Sequence, residues 1–200
     1  MAIIDKPSDY FNTKLYTGNG SNATGITGVG FQPDWVWIKC RTIGDNHVLG
    51  DSVRGGNKQI YSNLTNAETT STAMLQSFNS DGFTLGTDGA VNANAATYAS
   101  WNFKAGTSFT NDASGTGIGD IDSSGSVNTD AGFSIITATS DSAADKNIAH
   151  GLGVVPDVIL SKNLASTFNW DCYFKTLGYN ASLQLNQTAA PRTGAWGSAT

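Results

Sequence analysis

The sequence carries little charge, and its acidic residues are almost all of one type. Only 14% of the 200 residues are charged while 10% are aromatic, which is not the composition of a disordered chain. Every acidic residue except Glu68 is an aspartate. Because helices favour Glu over Asp, this composition favours strands and turns. The chain is also long enough to bury a core, so we expect it to fold as β structure.

Basic runs and long apolar runs are both missing from the sequence. The formal net charge is −5 and the sequence pI is about 4.7, so no positive surface is expected for a nucleic acid or an anionic membrane. Nowhere do 18 apolar residues run together, and the segment Met1–Pro7 does not have the apolar stretch of a secretory signal. We therefore expect that the chain does not insert into a membrane. We also expect that it is synthesised in a cytoplasm.

Cysteine and histidine, which serve most metal and nucleophilic sites, are scarce. Cys40 and Cys172 are too few for a disulfide framework and have no zinc-binding neighbourhood. The only two histidines are His47 and His150, and neither lies in a nucleophile elbow. We predict no catalytic residue, no metal site and no cofactor.

Acidic residues leave two further possibilities to consider. Glycoside cleavage needs two facing carboxylates, and the candidates are Asp51, Asp81, Asp88 and Asp171. The sequence does not show which of them could face each other, so a polysaccharide-degrading enzyme stays an alternative. The segment 120–125 begins like a calcium loop, but Ala131 stands where the loop needs its acidic twelfth residue, and we interpret it as a turn.

An internal repeat organises the chain. The segment 28–39 matches the segment 151–162, which begins 123 residues later, and the offset then holds without a gap. Before it the match is looser and shifted by one residue, pairing Phe11 with Phe133. We predict a first repeat at 1–105, a linker rich in Gly, Ser and Asp at 106–130, and a second repeat at 131–200.

The second copy stops early by comparison with the first. It has no counterpart of 78–104, which contains two predicted strands, Gly82–Leu85 and Tyr98–Phe103. Either the sequence is cut from a longer chain or another chain completes the second module. We favour the first alternative, because half a β module leaves strand edges unpaired.

Strand patterns within the first copy are short and alternate with a period of two. From Asp34 to Arg41, the residues Trp35, Trp37 and Lys39 share one face and Val36, Ile38 and Cys40 share the other. Turn residues separate the strands at roughly ten-residue spacing. The segment 66–76, which has no apolar stripe, is predicted as a loop with a turn of helix. The fold class predicted is all-β, with two tandem antiparallel β-sandwich modules of jelly-roll, lectin-like type, the second incomplete.

Aromatic and amide side chains are the remaining functional signal. A flat ring can stack on a pyranose while amides and carboxylates bind its hydroxyls. Trp35, Trp37 and Trp101 lie within strand patterns and are predicted to belong to the core. The loop residues Trp170 and Tyr179 are therefore the candidates for glycan binding.

Segments of both copies carry a resemblance to a known family: 6–11, 16–20, 28–39, 51–55, 61–68, 77–83 and 99–106 in the first copy, and 150–153 with 156–157 in the second. On these segments the chain resembles a repeat family of virion proteins from marine tailed phages. The resemblance implies a lectin-type β-sandwich and a virion component, and it transfers no catalytic residue.

The function expected from this resemblance is structural. We expect a non-enzymatic tail-fibre or capsid-decoration subunit on the virion surface, made in the host cytoplasm. Its expected partners are other copies of itself in a trimer or another homo-oligomer, other virion proteins, and glycans of the host surface. A polysaccharide-degrading tailspike and a free carbohydrate-binding module are the alternatives.

Overall fold

The computed structural model of the protein describes residues 4–140, 146–194 and 196, and the fold is all-β, as predicted. The strands are β1 (Phe11–Thr17), β2 (Thr24–Thr27), β3 (Trp35–Cys40), β4 (Val48–Asp51), β5 (Lys58–Tyr61), β6 (Thr69–Thr70), β7 (Leu75–Asn79), β8 (Gly82–Leu85), β9 (Thr97–Phe103), β10 (Thr107–Asn111), β11 (Ser123–Asn128), β12 (Phe133–Ala138), β13 (Val158–Ser161), β14 (Asp171–Phe174), β15 (Ala181–Ser182) and β16 (Arg192–Thr193). The helical elements are α1 (Gly89–Asn92), α2 (Ala113–Thr116) and two 3-10 turns, Pro7–Asp9 and Lys175–Leu177. None of these described helices is long enough to cross a membrane.

Two antiparallel sheets enclose the main core. One has six strands in the order β1-β9-β3-β4-β5-β6, and the other has three in the order β2-β8-β7. The side chains between them come from both sheets and include Phe83, Leu85, Ile38 and Tyr98, all buried. This arrangement is that of a β-sandwich.

A tight turn between β7 and β8 holds the smaller sheet in register. The strands pair from Leu75 with Leu85 to Asn79 with Gly82, as the turn residues predicted. Gly82 has a φ of +151°, and a Cβ there would overlap the Ile26 carbonyl of β2. A side chain at this position would therefore separate β8 from β2.

Two strands of the third sheet lie in the segment predicted as a linker. Strands β10 and β11 both fall within 106–130, and they pair in the order β10-β11-β12. Small residues suit close strand pairing as well as linkers, and Gly125 of β11 lies against the ring of Phe109 and the Ile135 backbone. Composition alone could not separate these two uses of glycine and serine.

The region 66–76 was predicted as a loop with a turn of helix, and it differs from that expectation. It contains β6 and the start of β7, with no helix. Thr69 and Thr70 pair with Gln59 and Lys58 of β5, which extends the six-stranded sheet by a short edge strand. β-branched threonines favour this extended pairing over a helical turn.

Strand pairing repeats at the offset found in the sequence. Three residue pairs of the first copy recur 123 residues later in the same register. The pair Trp35–Asp51 recurs as Val158–Phe174, and the pair Leu49–Ile60 recurs as Cys172–Leu183. The pair Lys58–Thr70 recurs as Ala181–Thr193. The division of the chain into two modules stays a prediction, but the strand framework of 35–70 is present twice.

Side-chain hydrogen bonds repeat in the same way. In the first copy, Asn63 donates to Asn46 Oδ1 at 2.8 Å and accepts from the His47 amide at 2.9 Å. In the second copy, Asn186 donates to Asn169 Oδ1 at 2.7 Å and accepts from the Trp170 amide at 2.9 Å. Each asparagine ties the segment after one strand to the start of the strand before it: after β5 to the start of β4, and after β15 to the start of β14.

Phe83 provides a test of the core between the two sheets. Its ring is fully buried, so we expect Phe83→Ala to lower the free energy of unfolding by about 3–5 kcal/mol through lost burial and a cavity. Urea denaturation measures this change. The matched control is Phe168→Ala, at a ring that is 59% exposed, for which a change within about 0.5 kcal/mol is expected. Equal losses in both variants would contradict this core.

Candidate functional surface

The six-stranded sheet is apolar on both sides, and the side turned away from the main core is the candidate functional surface. We call it the outer face. Its side chains stand in rows across β1, β9, β3, β4 and β5, and they are Phe11, Thr13, Leu15, Thr17, Thr97, Ala99, Trp101, Phe103, Trp35, Trp37, Lys39, Leu49 and Ile60. The predicted alternation of β3 is confirmed: Val36, Ile38 and Cys40 are buried in the main core.

Aromatic rings form a connected series along the outer face. The centroids of Phe11 and Phe103 lie 4.6 Å apart, those of Phe103 and Trp35 lie 5.1 Å apart, and those of Trp35 and Trp37 lie 5.9 Å apart. Trp101 lies 6.0 Å from Trp37 in an edge-to-face contact. Tilted and edge-to-face contacts of this kind stabilise the face beyond the burial of area.

The second repeat copy covers the part of the outer face around Leu49 and Ile60. Leu49 and Ile60 are buried there against Trp170 and Cys172, forming a cluster separate from the main core. The Trp170 indole donates through Nε1 to the Tyr61 carbonyl at 2.8 Å. The Leu164 carbonyl accepts from the Glu68 amide at 2.9 Å. These contacts join the two copies within one chain.

Equivalent positions of the two copies meet in this cluster. Leu49 corresponds to Cys172, and Ile60 corresponds to Leu183, which packs on the same cluster. This part of the outer face of the first copy is thus buried by the equivalent strands of the second copy. The repeat packs on itself through its outer face.

Phe133 covers a second part of the outer face. It is the counterpart of Phe11 in the looser part of the repeat, and it opens β12. Its ring stacks on Phe103 with centroids 5.0 Å apart and lies 5.9 Å from Trp35. The part of the face nearest β1 is left open: Leu15 is 63% exposed, and Phe11 is also exposed.

A polar corner of the face is formed around Trp37 and Lys39 of β3. The Trp37 indole donates through Nε1 to His47 Nδ1 at 3.2 Å, and Lys39 donates to the Asp45 carbonyl at 2.7 Å. Partial burial and the nearby Lys39 ammonium hold the pKa of His47 below its ordinary value. The imidazole is therefore neutral at pH 7, as the hydrogen bond to Nδ1 requires.

The two predicted glycan-binding residues lie in different surroundings. Trp170 is only 4% exposed, because its ring fills the cluster between the two copies, and it is not an accessible loop residue. Tyr179 is 45% exposed, beyond the 3-10 turn that follows β14. The structure does not place these two residues on one common surface, and Tyr179 alone stays a candidate for stacking on a sugar.

Each candidate catalytic carboxylate holds a contact that stabilises the fold. Asp51 binds Arg54 Nε at 2.6 Å, and Asp171 lies 3.3 Å from Arg192. Asp88 caps α1 by accepting from the Ala90 amide at 2.8 Å. Asp81 accepts from the Gly30 and Gly28 amides at 2.6 and 2.9 Å, which lowers the pKa of this carboxyl.

The other residues considered for chemistry are also engaged locally. His150 accepts from the Leu152 amide at 3.2 Å within its own turn. Asp120 accepts from the amide of Asn147, and Asp122 accepts from that of Ala113. The segment 120–125, which begins like a calcium loop, thus binds two neighbouring loops through its carboxylates. Among residues 4–140, 146–194 and 196, no three His, Cys, Asp or Glu side chains form a group that could hold a metal ion.

A buried ion network was missed by the sequence analysis. Arg54 binds Asp51 and Glu68, at 2.6 and 2.9 Å, and its side chain is almost fully buried. Glu68 also binds Lys58 at 3.1 Å. Burying charge is costly unless it is paired, and this network pairs Arg54 with two carboxylates. Glu68 also donates its backbone amide to the Leu164 carbonyl of the second copy. The feature of the sequence that could have pointed to this network is Glu68, its single glutamate.

The repeat alignment also contained a signal for the position of Trp170. The alignment places it opposite His47, the residue just before β4, so Trp170 comes just before β14. Period-two alternation then puts Trp170 on the same side as Cys172. Reading Trp170 as part of a strand face, and not of a loop, would have predicted its burial.

Comparison with known proteins places the chain in a family. The model of the family described as "Domain of unknown function (DUF7483)" matches residues 6–199, and the chain belongs to this family. No curated protein and no solved structure matches the chain.

His47 predicts a pH dependence of stability. Because the folded chain disfavours the charged imidazole, its stabilisation is present above the unfolded pKa of about 6.5 and is lost as the pH falls through the lower folded pKa. We expect the free energy of unfolding to decrease between pH 7 and pH 5, and this decrease to be smaller in His47→Gln. Urea denaturation across this range tests it, with the wild-type protein as the reference. An unchanged pH profile in His47→Gln would refute the assignment.

Proposed function

We propose that the protein is a non-enzymatic structural subunit of a virion surface, of the tail-fibre or capsid-decoration type. In this proposal it assembles with other copies of itself and with other virion proteins, and it contacts glycans of the host surface. The resemblance of the first copy to virion proteins of marine tailed phages supports the proposal, as does the β-sandwich that the resemblance implied.

Exposed apolar side chains of the second copy carry the proposal. In the first copy, Phe31 is buried and Trp35 is half-buried. Their counterparts 123 residues later, Val154 and Val158, are both exposed. Leu160, which corresponds to Trp37, is exposed as well. Contiguous apolar surface of this kind marks a site of association, because leaving it in water is unfavourable.

Structural contacts of the carboxylates favour binding over catalysis. A glycosidase needs one carboxyl free to protonate the leaving oxygen and a second one facing it. Asp51 is tied to Arg54 in the buried ion network, and Asp81 is tied to two backbone amides. Asp88 is tied to the start of α1. These groups hold the fold in place, which suits a scaffold that acts through its surfaces.

The virion assignment is tested by cryo-electron microscopy of purified particles of the phage that encodes the chain. The expected result is density for this β-sandwich at a symmetric site on tail or capsid, with neighbouring copies. Absence from the particle, with free protein in the lysate, would overturn the assignment and favour the free carbohydrate-binding module. Release of reducing sugar from host polysaccharide by the purified protein would instead favour the tailspike alternative.

Tyr179 and Trp170 give a test of glycan contact at residue level. The exposed Tyr179 ring can stack on a sugar, so Tyr179→Ala is expected to weaken binding to immobilised bacterial surface glycans about tenfold without a loss of stability. The buried Trp170 ring stabilises the contact between copies, so Trp170→Ala is expected to lower the free energy of unfolding by about 3–5 kcal/mol. A glycan array and urea denaturation measure the two effects. Unchanged glycan binding in Tyr179→Ala would remove this residue as a contact.

A further inference from the structure

Strand β13 has an edge whose counterpart in the first copy is occupied. There, β3 lies between β4 and β9, with Trp35 paired to Phe103 and Cys40 to Tyr98. In the second copy, β13 pairs with β14, the counterpart of β4, and with no other strand of the described residues. The repeat therefore shows what this edge can accept: an antiparallel strand in the place of β9.

Side chains at this edge are apolar and lie in water. Val158 is 50% exposed and Leu160, two residues on, is exposed on the same side of β13. Val154 and Val155 precede the strand and are exposed too. A strand that carries exposed apolar side chains and unpaired backbone groups is a site of intermolecular pairing.

Strand β1 presents the complementary edge on the same molecule. It is the outermost strand of the six-stranded sheet and pairs with β9 on one side only, within the part of the chain that the structure describes. It is seven residues long, and Phe11 and Leu15 are exposed on one side of it. They belong to the part of the outer face that the second copy leaves open, beside Phe103, on which Phe133 stacks.

We infer that β1 of one chain pairs with β13 of a second copy of the same chain, which joins their sheets into one. The contact is heterologous, since two different edges meet. In an open assembly the two terminal subunits each keep one free edge, β1 at one end and β13 at the other, and closure into a ring leaves none. One kind of subunit covers both apolar edges in this way. This contact takes the second of the two alternatives that the sequence left open, in which another chain completes the second module. The continuity of the β1 side chains with the second copy, through Phe103 and Phe133, favours a second copy of the chain over an unrelated partner.

This inference rests on the proposed function, because it names the partner and the contact of the proposed assembly. The test uses two variants at exposed positions, Leu15→Lys on β1 and Val158→Lys on β13. A lysine in an edge strand opposes intermolecular pairing, and at positions 63% and 50% exposed it leaves the fold intact. Phe168→Lys, at an exposed ring outside both strands, is the matched control. Circular dichroism and urea denaturation verify that each variant folds.

Light scattering during size-exclusion chromatography provides the readout. We expect the wild type and Phe168→Lys to form oligomers, and each edge variant alone to be a monomer. An equimolar mixture of the two edge variants is expected to form a dimer, because the intact β13 of Leu15→Lys can still pair with the intact β1 of Val158→Lys. Only a heterologous contact between these two edges gives this result.

Three outcomes would overturn the inference. A wild-type monomer at high concentration would show that the edges do not pair. Loss of assembly in one edge variant only would indicate a contact between identical edges. Oligomers unaffected by either variant would place the contact elsewhere and leave the proposed virion subunit standing. That proposal fails separately, if the chain is absent from the particle.

Discussion

A sheet that is apolar on both sides must be covered on both sides, and this constraint governs the structure. Period-two alternation in β3 gives Val36 and Ile38 to one side and Trp35 and Trp37 to the other. The sheet β2-β8-β7 covers the first side and makes the main core. The other side, the outer face, must be covered by the rest of the chain. The positions of the second copy and of Phe133 follow from this need.

The second repeat copy meets that requirement with the same strand framework that creates it. Because the strands of both copies share their register, equivalent positions of the two copies come together in one cluster. Leu49 and its counterpart Cys172 are both buried in it. Duplication thus supplies both sides of this contact. It also creates strands, β1 and β13, whose apolar edges are not covered within the described chain.

Much of the first copy could be predicted from local pattern. The strands around Trp35, Phe83 and Trp101 follow from alternation and turn residues, and the offset of the repeat followed from matching segments. What covers each face could not be predicted, because alternation shows that a strand has two apolar sides but not which element packs on either. Trp170 was therefore taken for an accessible residue, and the strands within 106–130 were hidden by a composition that suits linkers equally well.

Thiol labelling under native conditions tests the coverage of the outer face most directly. The two cysteines are both buried, Cys40 in the main core and Cys172 between the repeat copies, where burial raises the pKa of its thiol. If the second copy covers the outer face, both thiols react only as the whole chain unfolds, with the same dependence on urea. Rapid reaction of Cys172 in the native protein, with Cys40 still protected, would show that the outer face is open and would contradict the account.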